Sequence, residues 1–225
     1  MNKDIACSLL LIAAFLALFG IAEFLRWKFK TRVEYTRKLV HLGTGFISQL
    51  FPLILSSHWY VLALCSSFAV LLVMSQKLNI LQSINAIERD SVGSIAFPAA
   101  VYGCFLAFDY FNHEYLYFYL PILILAICDP VAALTGKRWP IGPYKVGKDK
   151  KTMMGSCMFF LSAIVLIIVL IKLNGTTTAT WKLAVGTVVI ALVSTITEAF
   201  SRKGYDNITI PVSVLSSFII LKEIL

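Results

Sequence analysis

Charged residues are scarce in this chain of 225 residues. Asp, Glu, Lys and Arg make up 14% of it, whereas 59% is hydrophobic and the mean hydropathy is +0.82. A soluble domain of this size could not bury so much apolar surface, so the composition excludes a soluble protein. The apolar runs are continuous and do not alternate with polar residues, which argues against a membrane β-barrel. We therefore expect an all-α integral membrane protein.

Other common sequence signals are also missing. The five cysteines lie inside apolar stretches and form no CxxC pair, so we interpret them as small buried apolar residues. The first apolar stretch, 5–25, is too long for the apolar region of a signal peptide, and no small-residue cleavage site follows it. No internal repeat and no flexible linker is evident. We expect one transmembrane helical domain over residues 1–225.

The apolar stretches are long enough to cross a bilayer as helices, which takes about 20 residues each. We predict eight helices, at 4–25, 39–55, 59–75, 93–108, 115–135, 155–172, 182–200 and 207–222. Pro211 interrupts the last of these, so both seven and eight crossings remain open.

Basic residues are concentrated in alternate connections. The segments 26–38, 76–92, 136–151 and 201–206 hold 16 of the 20 Lys and Arg residues. The positive-inside rule places this face in the cytoplasm. The net charge of +8 then indicates attraction for anionic headgroups or nucleotides, and the hydropathy argues against nucleic acid. The compact length and short loops favour the plasma (inner) membrane of a prokaryote.

Two polar clusters on this face could bind phosphate. Arg37, Lys38 and His41 are three and four residues apart and project from one helical face, so they could hold an anion such as a triphosphate. Glu88-Arg89-Asp90-Ser91 precedes the fourth helix. It either caps that helix or places Arg89 and the helix-start amides against phosphate.

Asp129 is a carboxylate in an apolar run, where it should be paired or hold a metal. A lysine-rich segment punctuated by glycines follows it. Glycines let the backbone approach phosphate closely, and lysines supply the charge, although the Walker A spacing is absent. We predict a loop here with these phosphate contacts: Gly136, Lys137, Arg138, Lys148, Lys151, Thr152, Gly155 and Ser156.

The last cluster, Glu198, Asp206 and Asn207, offers oxygen ligands that Mg²⁺ accepts together with substrate phosphates. With Asp129 these residues form the predicted metal site. Glu198 could instead be paired with Arg202, four residues further on.

Four spaced motifs resemble those of the polyprenol kinase family, which includes dolichol kinase, phytol kinase and CTP-dependent diacylglycerol kinase. They are Arg37-Lys-x-x-His41-x-x-x-Gly45, Asp129-x-x-Ala132-x-x-x-Gly136, Lys151-Thr152-x-x-Gly155-Ser156 and Glu198-x(7)-Asp206-Asn207-x-Thr209-x-Pro211. The resemblance implies transfer of the γ-phosphoryl group of CTP to the hydroxyl of a membrane lipid alcohol. It also implies that Arg37, Lys38, Asp129 and Gly136 are the residues hardest to replace.

On this hypothesis the basic segment and Arg37 with Lys38 hold CTP, and Asp129 with Glu198 or Asp206 holds Mg²⁺. Either Asp129 or His41 accepts the hydroxyl proton. The chain departs from the family's pattern at Cys128 and at Trp139-Pro140, where members usually have glycine. The acceptor could be a polyprenol, a phytol-like alcohol or diacylglycerol.

Two other functions remain open from the sequence. A phosphatidate cytidylyltransferase would also use CTP and Mg²⁺ but would form a CDP-lipid. A transporter of an anionic solute would also need intramembrane charges, although transporters usually place them near the midplane. The oligomeric state is not indicated.

Overall fold

The structure is a computed structural model that describes residues 3–78, 80–85, 92–147, 149–175 and 180–224. Most of these residues are helical. The helices are α1 (Lys3–Phe29), α2 (Val33–Ser48), α3 (Phe51–Ile54), α4 (His58–Lys77), α5 (Gln82–Asn85), α6 (Gly93–Tyr110), α7 (Leu116–Leu123), a π-helical segment (Ile124–Cys128), α8 (Asp129–Arg138), α9 (Met153–Leu173), α10 (Thr180–Phe200) and α11 (Asp206–Ile224). One hairpin, β1 (Pro143–Val146) and β2 (Asp149–Thr152), joins α8 to α9.

Membrane-length helices dominate the chain. Five segments in the described residues are long and apolar enough to cross a bilayer: Lys3–Phe29, His58–Lys77, Leu116–Arg138, Met153–Leu173 and Trp181–Phe200. The chain is therefore a helical membrane protein. Seven or eight crossings, and the side on which the basic face lies, stay predictions.

The second helix differs from its prediction. We expected it over 39–55, but α2 begins at Val33 and ends at Ser48. The prediction followed the apolar residues, whereas the first turns of α2 carry polar side chains. Pro52 lies in the first turn of the next short helix, where its missing N–H is no loss, and α2 ends before it. Arg37, Lys38 and His41 therefore all lie inside a helix.

The predicted loop after α8 was also wrong, because residues 143–146 and 149–152 form an antiparallel pair of strands in which Pro143 pairs with Thr152. Gly147 lies in its turn with a φ of 61°, a conformation that glycine adopts without a steric cost. The lysine-rich strands show no alternation of apolar and polar residues, so no strand signal is present in this segment.

The helix from α7 through the π segment to α8 lies at the centre of the protein. Leu120, Ile124, Leu125 and Cys128 are fully buried, and α9, α10 and α11 pack around them. On the other side, α1 packs against α2 and α4 packs against α6. This central helix carries Asp129 to the end of the bundle where the basic connections meet.

Candidate active site

A cavity of about 1050 Å³ opens at the basic end of the bundle. Its walls come from α1, α2, α4, α5, α6, α8, the start of α11 and the connection that precedes α11. The charged side chains and histidine that line it, among the described residues, are Arg37, Lys38, His41, Asp129, Arg202, Lys203 and Asp206. The fold therefore brings together residues from three of the predicted clusters, which are far apart in sequence.

An ion pair between α2 and α8 lies in the cavity wall. Lys38 Nζ donates to Asp129 Oδ2 at 2.5 Å, and the two side chains are 20% and 14% exposed. A carboxylate so poorly hydrated needs a partner of opposite charge, and Lys38 supplies it. The expectation that Asp129 is paired or holds a metal is met here by pairing.

His41 bonds to the main chain of the helix that carries Asp129. Its Nε2 lies 3.1 Å from the carbonyl oxygen of Leu125 and 3.9 Å from Asp129 Oδ2. In the π-helical register that carbonyl would accept from residue 130, but Pro130 has no N–H. A carbonyl only accepts, so Nε2 carries the hydrogen in this contact. His41 thus satisfies a carbonyl that the proline leaves without its helical partner.

Glycine allows α2 to approach the π segment. A Cβ placed on Gly45 would lie 2.2 Å from Cβ of Ala126, closer than any real contact between such atoms. Gly45 lies one helical turn beyond His41, so this close approach sets the distance of Lys38 and His41 from Asp129. The glycine of the first motif has a packing role.

A second buried ion pair lies beside the cavity. Lys151 Nζ donates to Glu198 Oε1 at 2.7 Å and also to the Glu198 carbonyl, and the side chains are 17% and 10% exposed. The alternative pairing of Glu198 with Arg202 was wrong. The other carboxylate oxygen, Oε2, is buried and has no hydrogen-bond partner among the described residues. An orphaned carboxylate oxygen of this kind is unusual and leaves Glu198 able to accept one more ligand.

The turn between α10 and α11 joins three elements. Lys203 has a φ of 54°, its N–H donates to Asp149 Oδ2 at 3.1 Å, and its carbonyl accepts from the N–H of Val92 at 3.1 Å. The hairpin and the start of α6 are therefore fixed against this turn. Asp206 follows directly, and its carboxylate is close enough to Asp129 and Lys38 for their charges to interact.

Asn207 is held by the same turn. Its Nδ2 donates to the carbonyl of Gly204 at 3.3 Å, and its N–H donates to Asp206 Oδ1 at 3.0 Å. The side-chain nitrogen thus donates one of its two hydrogens to the turn, and the amide oxygen is the atom that could bind a cation.

Several predicted phosphate-binding residues are explained by packing in the structure. A Cβ on Gly136 would lie 2.5 Å from Thr152 Oγ1, and one on Gly155 would lie 2.9 Å from the carbonyl of Ala132. Thr152 caps α9 by accepting from the Gly155 N–H at 3.1 Å. These contacts hold α8 against the start of α9.

Side chains near that crossing are also paired. Ser156 hydrogen-bonds the Tyr144 hydroxyl at 2.7 Å, and Lys137 pairs with Glu34. The predicted residues outside the cavity lining are Gly136, Lys137, Arg138, Lys151, Thr152, Gly155, Ser156 and Glu198. Their assigned roles stay predictions. Arg89 and Lys148, also predicted to bind nucleotide, lie outside the described residues, as does the whole Glu88–Ser91 cluster.

Sequence reasoning missed Arg202 and Lys203 as cavity residues. Both were visible in a basic connection directly before Asp206, but a basic connection is also what membrane orientation requires. The described residues contain no group of three His, Cys, Asp or Glu side chains arranged to hold a metal ion.

The fold and site define a helical membrane protein with buried charged pairs at one end. Over 191 residues, 84% of this chain and 80% of the relative, the sequence is 31% identical to phytol kinase from Synechocystis sp.. No family model and no solved structure matches the chain. The identity and its coverage show that the chain belongs to the polyprenol kinase family, which comprises lipid-alcohol kinases and includes phytol kinase.

Proposed function

We propose that this protein transfers the γ-phosphoryl group of CTP to the hydroxyl of a phytol-like lipid alcohol at the cytoplasmic face of the membrane. The observation that carries the proposal is the pairing of Lys38 with Asp129, beside His41, in the wall of a cavity lined by further cations. Membership of a lipid-alcohol kinase family supports the acceptor class, and the Synechocystis relative is a phytol kinase.

The cationic side chains suit a triphosphate. Arg37, Arg202 and Lys203 line one cavity with Lys38, and guanidinium groups bind phosphate oxygens in a bidentate manner. Phosphoryl transfer needs little covalent help from a protein, because positioning and charge neutralisation supply most of the catalysis. These side chains would hold the nucleotide in line with the acceptor oxygen.

In the reaction the alcohol oxygen bonds to the γ-phosphorus, and the bond from that phosphorus to the β–γ bridging oxygen breaks, releasing CDP. The hydroxyl proton passes to a base in the cavity. Asp129 is the better placed acceptor, because His41 Nε2 already donates to the Leu125 carbonyl. When Asp129 accepts the hydroxyl proton, Lys38 would pair instead with the negative charge that develops on the phosphate.

The acidic residues fit a divalent cation. Glu198 has an orphaned carboxylate oxygen, and its charge interacts with those of Asp129 and Asp206. Mg²⁺ is usually bound by one or two carboxylates together with substrate phosphates and waters. The carboxylates of Asp129 and Asp206 and the amide oxygen of Asn207 line one cavity and would hold Mg²⁺, which would neutralise charge on the phosphate oxygens.

A matrix of donors and acceptors tests the proposal. Purified protein in detergent with Mg²⁺ would receive γ-labelled CTP, ATP, GTP or UTP, each with phytol, a longer polyprenol, diacylglycerol or phosphatidate. The label recovered in the organic phase should be highest with CTP and phytol. Label that stays in water as pyrophosphate, with phosphatidate required, would identify a cytidylyltransferase instead. Folded protein that labels none of the lipids would contradict the kinase proposal.

A further inference from the structure

An apolar groove continues from the cavity towards the middle of the membrane. Four residues, Phe19, Thr44, Leu72 and Phe97, line both spaces and form the mouth of the groove. Phe51 and Val101 lie at its inner end. We call this space the tail groove. The described residues that line it expose only apolar surface, and its free volume is about 40 Å³.

The tail groove lies between two pairs of packed helices, α1 with α2 and α4 with α6. Along α4 it extends from Leu72 to Cys65, which is about 10 Å at the rise of an α-helix. Phe15 and Phe68 stand between α1 and α4 with ring centroids 4.6 Å apart. These two aromatic rings form the wall of the groove between α1 and α4.

The two hydroxyl side chains in the tail groove donate hydrogen bonds to main-chain carbonyls of their own helix. The Thr44 hydroxyl donates to the His41 carbonyl at 3.0 Å, and the Ser48 hydroxyl donates to the Thr44 carbonyl at 2.7 Å. Both hydroxyl hydrogens are therefore used within α2, and the surface that the described residues expose to the groove is apolar. An apolar chain is the occupant that this surface fits.

The mouth lies beside the reacting groups. Thr44 is three residues after His41 on the same face of α2, and the Phe97 ring lies 5.8 Å from the His41 ring. A hydrocarbon chain in the groove would thus end at the wall that holds His41 and Asp129. A terminal hydroxyl on that chain would meet the phosphoryl donor there.

We infer that the tail groove binds the first part of the acceptor's hydrocarbon tail and admits a single chain. This inference rests on the proposed function, because it assigns the acceptor class of the same site. The free volume is about three times the roughly 10–15 Å³ that a cavity needs to hold one water, so the groove takes a few methylene groups of one chain and has no width for a second. The groove therefore favours a single-chain alcohol over diacylglycerol, whose two chains branch beside the hydroxyl.

A photoaffinity experiment tests the groove without requiring turnover. The probe is a long single-chain alcohol with a diazirine close to the hydroxyl, added to the full-length protein in lipid nanodiscs. Peptides of α1, α2, α4 and α6 should carry the label, and excess phytol should compete whereas dioleoylglycerol should not. Labelling elsewhere, or equal competition by dioleoylglycerol, would overturn the inference whether or not the protein is a kinase.

Variants of the groove sharpen this test. Val101→Phe fills the inner end and should lower labelling and kcat/KM for phytol roughly tenfold, with a change below about twofold for a four-carbon alcohol, which ends before Val101. Phe51→Ala enlarges the same end and should favour longer chains, which guards against a fold defect in the first variant. Gly103→Leu is the matched control on α6, since no atom of the described residues lies within 4 Å of a Cβ there. Equal loss for both chain lengths in folded Val101→Phe would contradict the groove as a tail site.

Discussion

The two ends of the helical bundle differ in how their charges are held. At the basic end, the pairs Lys38–Asp129 and Lys151–Glu198 have side chains no more than 20% exposed. At the opposite end, Lys222 pairs with Glu114 and His113 lies near Asp109, all at least 31% exposed. Exposed pairs contribute little to stability, and buried pairs often cost more than a hydrophobic substitute. The buried pairs therefore indicate chemistry, whereas the exposed pairs need no functional explanation.

The largest contrast should come from removing one carboxylate at each end. Asp129→Asn keeps the shape of the side chain but removes the charge and the base. Phosphorylation of phytol should fall by at least about a hundredfold, the lower range for loss of a general base. Asp109→Asn is the matched control at the opposite end and should change activity less than about twofold. Membrane extracts with γ-labelled CTP would show both; an active Asp129→Asn protein would remove Asp129 from the site.

Replacing the lysine of the buried pair Lys38–Asp129 and that of the exposed pair Lys222–Glu114 distinguishes a role in function from a role in stability. Lys38→Met leaves Asp129 without its partner, so it should lower both activity and the thermal midpoint. The double variant Lys38→Met/Asp129→Leu should recover the midpoint but not the activity. Lys222→Met should alter stability by less than about 1 kcal/mol.

Thermal unfolding in detergent and initial rates would be measured on the same preparations. Recovery of activity together with stability in the double variant would show that the Lys38–Asp129 pair is only structural.

A smaller effect is expected from the bond between His41 and the Leu125 carbonyl. His41→Ala should lower kcat about tenfold by releasing a buried carbonyl next to Asp129. His41→Gln can still donate to that oxygen and should retain more activity. Pro130→Ala returns an N–H to the helix and should partly rescue His41→Ala. If His41 were the base, glutamine would be as harmful as alanine and no rescue would occur.

The smallest effect concerns glycine packing at the basic end. Gly136→Ala should destabilise the fold by about 1–3 kcal/mol, because its Cβ would meet Thr152. Gly103→Ala, in open space on α6, should be neutral or slightly stabilising. A rise in KM for CTP with an unchanged thermal midpoint in Gly136→Ala would favour phosphate contact over packing.

Most of the helices, and the gathering of charged residues at one end of the bundle, could be predicted from the sequence. The apolar runs placed the helices, and charge placement brought Arg37, Lys38 and His41 to the end that carries Asp129. The start of α2 could not be predicted from hydropathy, because its first turns are polar. The hairpin lacked a strand pattern, and its stability depends on contacts with the turn that holds Lys203.

It was harder to predict which site residues pair with each other than which residues belong to the site. Glu198 had a basic residue at the helical spacing, Arg202, yet tertiary packing brought Lys151 to it instead. The role of Gly136 depends on the distance between two helices, which no local pattern reports. The tail groove depends on the relative positions of four helices, so it was invisible in the sequence.

The stoichiometry of products tests phosphoryl transfer most directly. Wild-type protein would react with phytol and CTP, and CDP, CMP, pyrophosphate and lipid phosphate would be measured in the same sample. We expect equal amounts of CDP and phytyl phosphate and no CMP. CDP without phytyl phosphate would indicate hydrolysis, and pyrophosphate with a CDP-lipid would indicate nucleotidyl transfer; either result would contradict a lipid-alcohol kinase at this site.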